Sequence, residues 1–197
     1  MLYKYRGLSN LLFALDIFTK QRMFAAGFES LNDPMEGHYV YEAGALTRSQ
    51  IRTIYGQKME LGILSLSKTP SNMLMWSYYA EANTGMAVGI EITDENAQTV
   101  PIDYVDELAL EQGHPDVPMR ILSKKLKPWS HEQEHRVFTR RSKYVTVRVK
   151  EVVFGLATNE RAKELVTEVA KKFCPRVKIR TIRANELERG ILARVDA

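Results

Sequence analysis

One cysteine in 197 residues, Cys174, excludes an internal disulfide, so packing, hydrogen bonds and charge must hold this chain together. The setting Lys171-Lys172-Phe173-Cys174-Pro175 reads as a helix end where the thiol packs. No run of about eighteen apolar residues occurs, and the start Met1-Leu2-Tyr3-Lys4-Tyr5-Arg6 lacks the apolar stretch of a secretory signal. The expectation is a cytoplasmic protein without membrane contact; an effector exported by a signal-free route would read the same. Glycine-rich phosphate loops are missing, since neither GxGxxG nor GxxxxGK[ST] is found, and so is the GxSxG nucleophile elbow. There is no repeat, no low-complexity tract and no Gly/Ser linker. A large excess of one charge is absent too: 28 Lys and Arg face 24 Asp and Glu, for a net charge of +4 and a pI near 9.1. That balance permits a phosphate-bearing partner without identifying one.

What is present is an ordinary globular mixture, 45% hydrophobic and 26% charged, which predicts one domain over residues 1–197. Alternation predicts a strand over residues 2–6, followed by a helix capped at Ser9 or Asn10 and ending near Gln21. In that helix Leu11, Leu12, Leu15 and Phe18 cover one face, while Phe13 and Ile17 fall on the other. A short strand at residues 23–26 leads to the break Asn32-Asp33-Pro34, where the proline forces Asp33 out of the helical region. A helix of low amphipathic quality is expected over 43–58, a strand over 62–67, a helix capped at Ser71 or Asn72, and a central apolar strand over 85–92. Residues 94–118 read as irregular, with a short strand at 100–104, and 120–127 as basic and helical. Strands follow at 137–138, 144–149, 152–155 and 177–182, with the clearest helix over 159–173 and a terminal segment over 185–191. The class is α+β.

The segment Trp129-Ser130-His131-Glu132-Gln133-Glu134-His135-Arg136 carries the densest chemistry. Extended, it puts Glu132, Glu134 and Arg136 on one face, where each ionisable group must be paired or used. The competing reading is a solvated edge strand in which Arg136 pairs Glu134 for little stability. The same letters fit the zinc pattern HExxH, but Pro128 upstream and Val137-Phe138 downstream oppose the helix that pattern needs, so no metal is expected. Cations at Arg120, Lys124, Lys125, Lys127, Arg140, Arg141 and Lys143, and later at Lys171, Lys172, Arg176, Lys178, Arg180 and Arg183, keep open a non-catalytic nucleic-acid-binding or regulatory interaction module; solvated lysines explain most such runs.

Three separated pieces remain: Tyr3-Lys4-Tyr5-Arg6, Met75-Trp76-Ser77-Tyr78-Tyr79-Ala80, and Glu132 to Arg136. With Asn32-Asp33-Pro34-Met35-Glu36 and the strand at 85–90, they resemble the bacterial domain of unknown function family 2971 along nearly the whole chain. Tyr78 departs from the histidine expected there, which puts a proton-transfer role at that position in doubt. The order of the pieces is also similar, more distantly, to the ADP-ribosyltransferase fold and its DNA-modifying toxin branch. That resemblance implies a split, bent, mostly antiparallel sheet flanked by helices, and NAD as substrate. It implies a first-strand Arg6 and Arg136 on the pyrophosphate, with Tyr5 and Ser77 beside the nucleotide. Tyr79 or Trp76 would stack on nicotinamide, Glu134 would be the catalytic carboxylate, and Glu132 would assist the acceptor nucleophile. The partners implied are NAD and a nucleic-acid or protein acceptor, in a toxin or phage-defence setting; the oligomeric state stays open.

Overall fold

A computed structural model describes residues 1–111, 113–140 and 142–187, so Arg141 and most of the expected terminal segment at 185–191 lie outside the described residues. The elements in chain order are β1 (Leu2–Arg6), α1 (Leu11–Lys20), β2 (Arg22–Phe24), a 3-10 turn (Phe28–Ser30), α2 (Arg48–Met59), β3 (Gly62–Ser67), α3 (Met73–Tyr79) and β4 (Met86–Ile92). Then come β5 (Gln98–Pro101), β6 (Asp103–Val105), α4 (Val117–Ile121), β7 (Lys124–Leu126), a second 3-10 turn (Lys127–Glu132), β8 (Glu134–Thr139), β9 (Tyr144–Phe154), α5 (Glu160–Phe173) and β10 (Lys178–Thr181). Helices flank mostly antiparallel strands, the α+β class that the sequence pattern predicts. The chain divides into two compact units. One comprises Met1–Met23, Leu66–Asp94 and the described part of Thr146–Ala197; the other comprises Phe24–Ser65 and Glu95–Val145.

In the first unit β4 lies between β1 and β9, antiparallel to both, and α5 carries the chain to β10, parallel to β9. The near-continuous apolar run of β4 suits this central place, where both faces are covered. Residues 144–154 form one strand, not the two the sequence pattern predicts. The first half buries only Val145, Val147 and Val149, whereas Glu151 to Phe154 are all buried, so the periodicity changes while the backbone continues. A register shift opposite Gly89/Ile90 absorbs the change. Helix α1 also differs from its expected faces: Ala14, Ile17 and Phe18 are buried, while Leu12 and Phe13 are 82% and 62% exposed. The buried stripe is narrow because α1 packs on α5, where the small Ala170 and Val166 let the helices approach. Asn72 and Asn159 cap α3 and α5, each accepting two backbone N–H bonds. Tyr3, Tyr5, Met75, Trp76, Ala87 and Val153 anchor this unit's core.

In the second unit β8 runs between β3 and β5, over a core of Phe28, Leu61, Ile63, Leu122 and Phe138. Helix α2 opens with a reciprocal capping box between Thr47 and Gln50. The expected helix over 120–127 is corrected: Asp116 and Pro118 start α4 early, it ends at Ile121, and residues 124–126 pair with β6 as a strand. The region expected to be irregular thus contributes β5, β6 and α4.

Candidate functional site

The 3-10 turn begins with Pro128 inside it and closes on Gln133, whose φ of 45° is left-handed. Glu132 therefore ends a turn, and β8 starts only at Glu134. The expected single face of Glu132, Glu134 and Arg136 is corrected, because only the last two belong to the strand. Both carboxylates nevertheless meet Lys125, whose Nζ lies 2.6 Å from Glu132 Oε2 and 2.9 Å from Glu134 Oε2. Arg136 binds Glu134 through Nε at 2.8 Å and grips Glu36 with both Nη atoms at 2.6 Å. Its Nη1 also donates to the Leu122 carbonyl at 2.6 Å. Glu36 is delivered by the Asn32-Asp33-Pro34 turn, in which Asp33 accepts the Met35 N–H at 2.9 Å. The Tyr104 hydroxyl accepts the Glu134 N–H at 2.8 Å, and the Lys125 ammonium lies 5.1 Å from the Trp129 ring centre.

The charged side chains of Glu36, Lys125, Glu132, Glu134 and Arg136 are each at most 7% exposed, which overturns the solvated-edge reading of the acidic segment. Burial opposes ionisation of Glu134, but the charges of Arg136 and Lys125 and bonds from Arg136 and Ser65 override it, holding the carboxyl down at about 2. Burial likewise works against the Arg136 and Lys125 cations, yet Glu134 above all, with Glu36 for the first and Glu132 for the second, keeps both above their ordinary values. Glu134 is a permanent anion here. It has no proton to give near neutrality. Beside this set Lys58 donates to the Gly37 carbonyl at 2.7 Å, with the Phe28 ring centre 4.8 Å away, and burial lowers its pKa.

The remaining expected residues belong to the first unit. Trp76 is fully buried, its indole N–H donating to the Pro70 carbonyl at 2.7 Å, and Tyr5 is 5% exposed with its hydroxyl on the Thr69 carbonyl at 2.9 Å. The two rings meet edge to face at 5.2 Å. They are core, and neither offers a face to a nucleotide: that correction follows from their lining the space under β1 and α3. Ser77 is exposed, with its hydroxyl on the Met73 carbonyl at 3.1 Å, and Tyr79 is half-buried against the core. Arg6 is different. Its Nε is out of solvent with no hydrogen-bond acceptor among the described residues, its guanidinium lies 5.8 Å from the exposed Phe13 ring, and burial lowers its pKa.

Just beyond Arg6, the Glu81 carboxylate accepts the Leu8 and Ser9 N–H groups at 2.9 and 3.1 Å, and the Ser9 hydroxyl as well. It thus ties down the approach to α1, whose Asn10 makes no side-chain cap. Glu81, Ala82 and Asn83 are all left-handed, at φ of 48°, 52° and 70°. Glu81 was not singled out, Phe13 was named only for its helix face, and Lys125 only among the basic residues. Only Glu36 carried a signal, as the last letter of the Asn32-Asp33-Pro34-Met35-Glu36 turn, whereas Lys125 is hidden in a run that reads as solvated. His131 sits in a 3-10 turn and His135 in β8, so the HExxH letters never share a helix face, and no group of three metal-binding side chains occurs among the described residues. No family model, curated protein or solved structure matches this chain.

Proposed function

We propose that this chain is an NAD-dependent ADP-ribosyltransferase-like enzyme, passing ADP-ribose to a nucleic-acid or protein acceptor or hydrolysing NAD, in a toxin or phage-defence setting. The observation that carries the reading is Arg6, a guanidinium on the first strand with a dehydrated Nε that lacks an acceptor among the described residues. Buried donors are nearly always satisfied, and a diphosphate is the ligand chemistry that a planar guanidinium takes best. Glu134 gives up the catalytic role, since its side chain is only 4% exposed and Arg136 and Lys125 take its oxygens. Of the aromatic candidates Tyr79 keeps the stacking role and Trp76 gives it up to the core. Arg136 gives up the pyrophosphate, since Glu36, Glu134 and the Leu122 carbonyl take its donors. Its part is to hold Glu134. Glu132 stays with Lys125.

The test is nicotinamide release from NAD by the purified chain, with and without oligonucleotide and protein acceptors. Arg6→Ala should raise the KM for NAD by about 10- to 100-fold, the worth of a charge-assisted hydrogen bond of about 1.5–3 kcal/mol, while leaving the melting temperature nearly unchanged. Absence of nicotinamide release, together with no thermal shift in millimolar NAD, overturns the reading.

A further inference from the structure

We infer that the turn joining α5 to β10, with the last turn of α1 beside it, is a docking surface for the phosphate backbone of single-stranded nucleic acid. Residues 169–185 hold six cations and no acid, a larger excess than the whole chain's net +4. Several basic residues elsewhere in the described chain are neutralised. Arg120 and Lys124 sit on Glu111, Lys125 on Glu132 and Glu134, and Arg140 on Asp116. Arg180, within the late run, is held by Glu151 and Glu186.

Lys171, Lys172, Arg176 and Lys178 are exposed, and no ion pair holds any of them among the described residues. The Cys174 thiol reaches the Phe18 carbonyl at 3.9 Å, which brings the end of α1, with Lys20, against the same turn. Two lysines in a helix's last turn have a local explanation, since they complement the carbonyl end of the dipole. Arg176 and Lys178 lie past the helix end, and that explanation does not reach them. Phe173 is 42% exposed, with the Lys172 ammonium 5.8 Å from its ring centre, which places a stacking surface for an unpaired base among the cations. An anionic membrane fits less well, because insertion needs a free apolar helix face and Val166 and Ala170 of α5 are fully buried.

This inference stands apart from the NAD reading, since binding is measured without NAD. Fluorescence anisotropy of a labelled single-stranded oligonucleotide with the full chain gives the salt dependence. Four neutralised phosphates predict a log–log slope of about −3, hence about a 50-fold loss of affinity between 50 and 200 mM salt. Replacing Lys171, Lys172, Arg176 and Lys178 together by alanine should bring the slope near zero. The milder Arg176→Ala, Lys178→Ala pair, outside any helix, should halve it. A control removing the exposed Arg48 and Arg52 of α2 should change nothing. An unchanged slope in the four-site variant, no oligonucleotide binding at 50 mM salt, or binding to phosphatidylserine vesicles without oligonucleotide binding would each overturn the inference.

Discussion

Replacing Arg136 by methionine keeps most of the side-chain volume and deletes the guanidinium that joins Glu36 to Glu134. Glu36 loses two bonds of 2.6 Å, Glu134 loses two of 2.8 and 3.3 Å, and the Leu122 carbonyl loses its donor at 2.6 Å. Glu134 keeps Lys125 at 2.9 Å, but Glu36, with its side chain 3% exposed, is left among the described residues with the more distant attraction of Lys58. Removing one member of a buried ion pair costs about 3–5 kcal/mol. With a urea m-value of about 2 kcal/mol/M, a loss of about 4 kcal/mol moves the denaturation midpoint down by about 2 M. The cost should depend on pH in a definite direction. In the parent chain Glu134 is held at about 2, below its ordinary 4.5, so its contribution is complete above about 4.5 and fades as pH falls toward 2. In the variant Glu134, without the Arg136 charge that holds it down, rises in pKa and takes up a proton more readily, so the variant recovers relative to the parent as pH drops from 7 to 4. Urea melts at pH 7, 5.5 and 4 measure both quantities. A midpoint shift below about 0.5 M at pH 7, or a gap that does not narrow on acidification, would refute the claim that these charges are buried and interdependent.

Three further outcomes follow from the first unit. Gly155→Ala should abolish stable folding or cost more than about 3 kcal/mol, because a Cβ would stand 2.1 Å from the Asn83 carbonyl oxygen; soluble yield and thermal melting report it. Glu81→Ala should cost only about 0.5–1 kcal/mol, the lower range for a cap, since the carboxylate is exposed; amide exchange at Leu8 and Ser9 should nonetheless accelerate, and unchanged exchange there would contradict the contact. Leu12→Ser should change stability by less than about 0.5 kcal/mol while Phe18→Ala costs about 3–5 kcal/mol, a contrast in thermal melts that tests which face of α1 is buried.

The signals that read correctly are local ones. Asn72 and Asn159 announce α3 and α5 because a side-chain acceptor at a helix start satisfies groups two and three residues away. The apolar run 86–92 announces a central strand because full burial leaves no polar face. Where the pattern misleads, a distant partner decides. Leu12 and Phe13 look like core from their own helix, but α5 meets α1 on the Ala14 stripe. Trp76 looks like a ligand-stacking ring and Tyr5 like a nucleotide contact, but they meet each other and two backbone carbonyls.

Composition and pattern by themselves determined the α+β class, the absence of disulfides, most element positions and the concentration of charge at residues 132–136. Only the tertiary structure decided that this charge is sequestered, since Glu36 and Arg136 stand 100 positions apart and bond through both ends of the guanidinium. It alone separated neutralised cations, such as Lys125, from exposed ones, such as Arg176. The reason is physical: periodicity reports which side of an element faces inward, whereas the ionisation and availability of a charged group depend on what lies within a few ångströms of it, and that is set by chain segments remote in sequence.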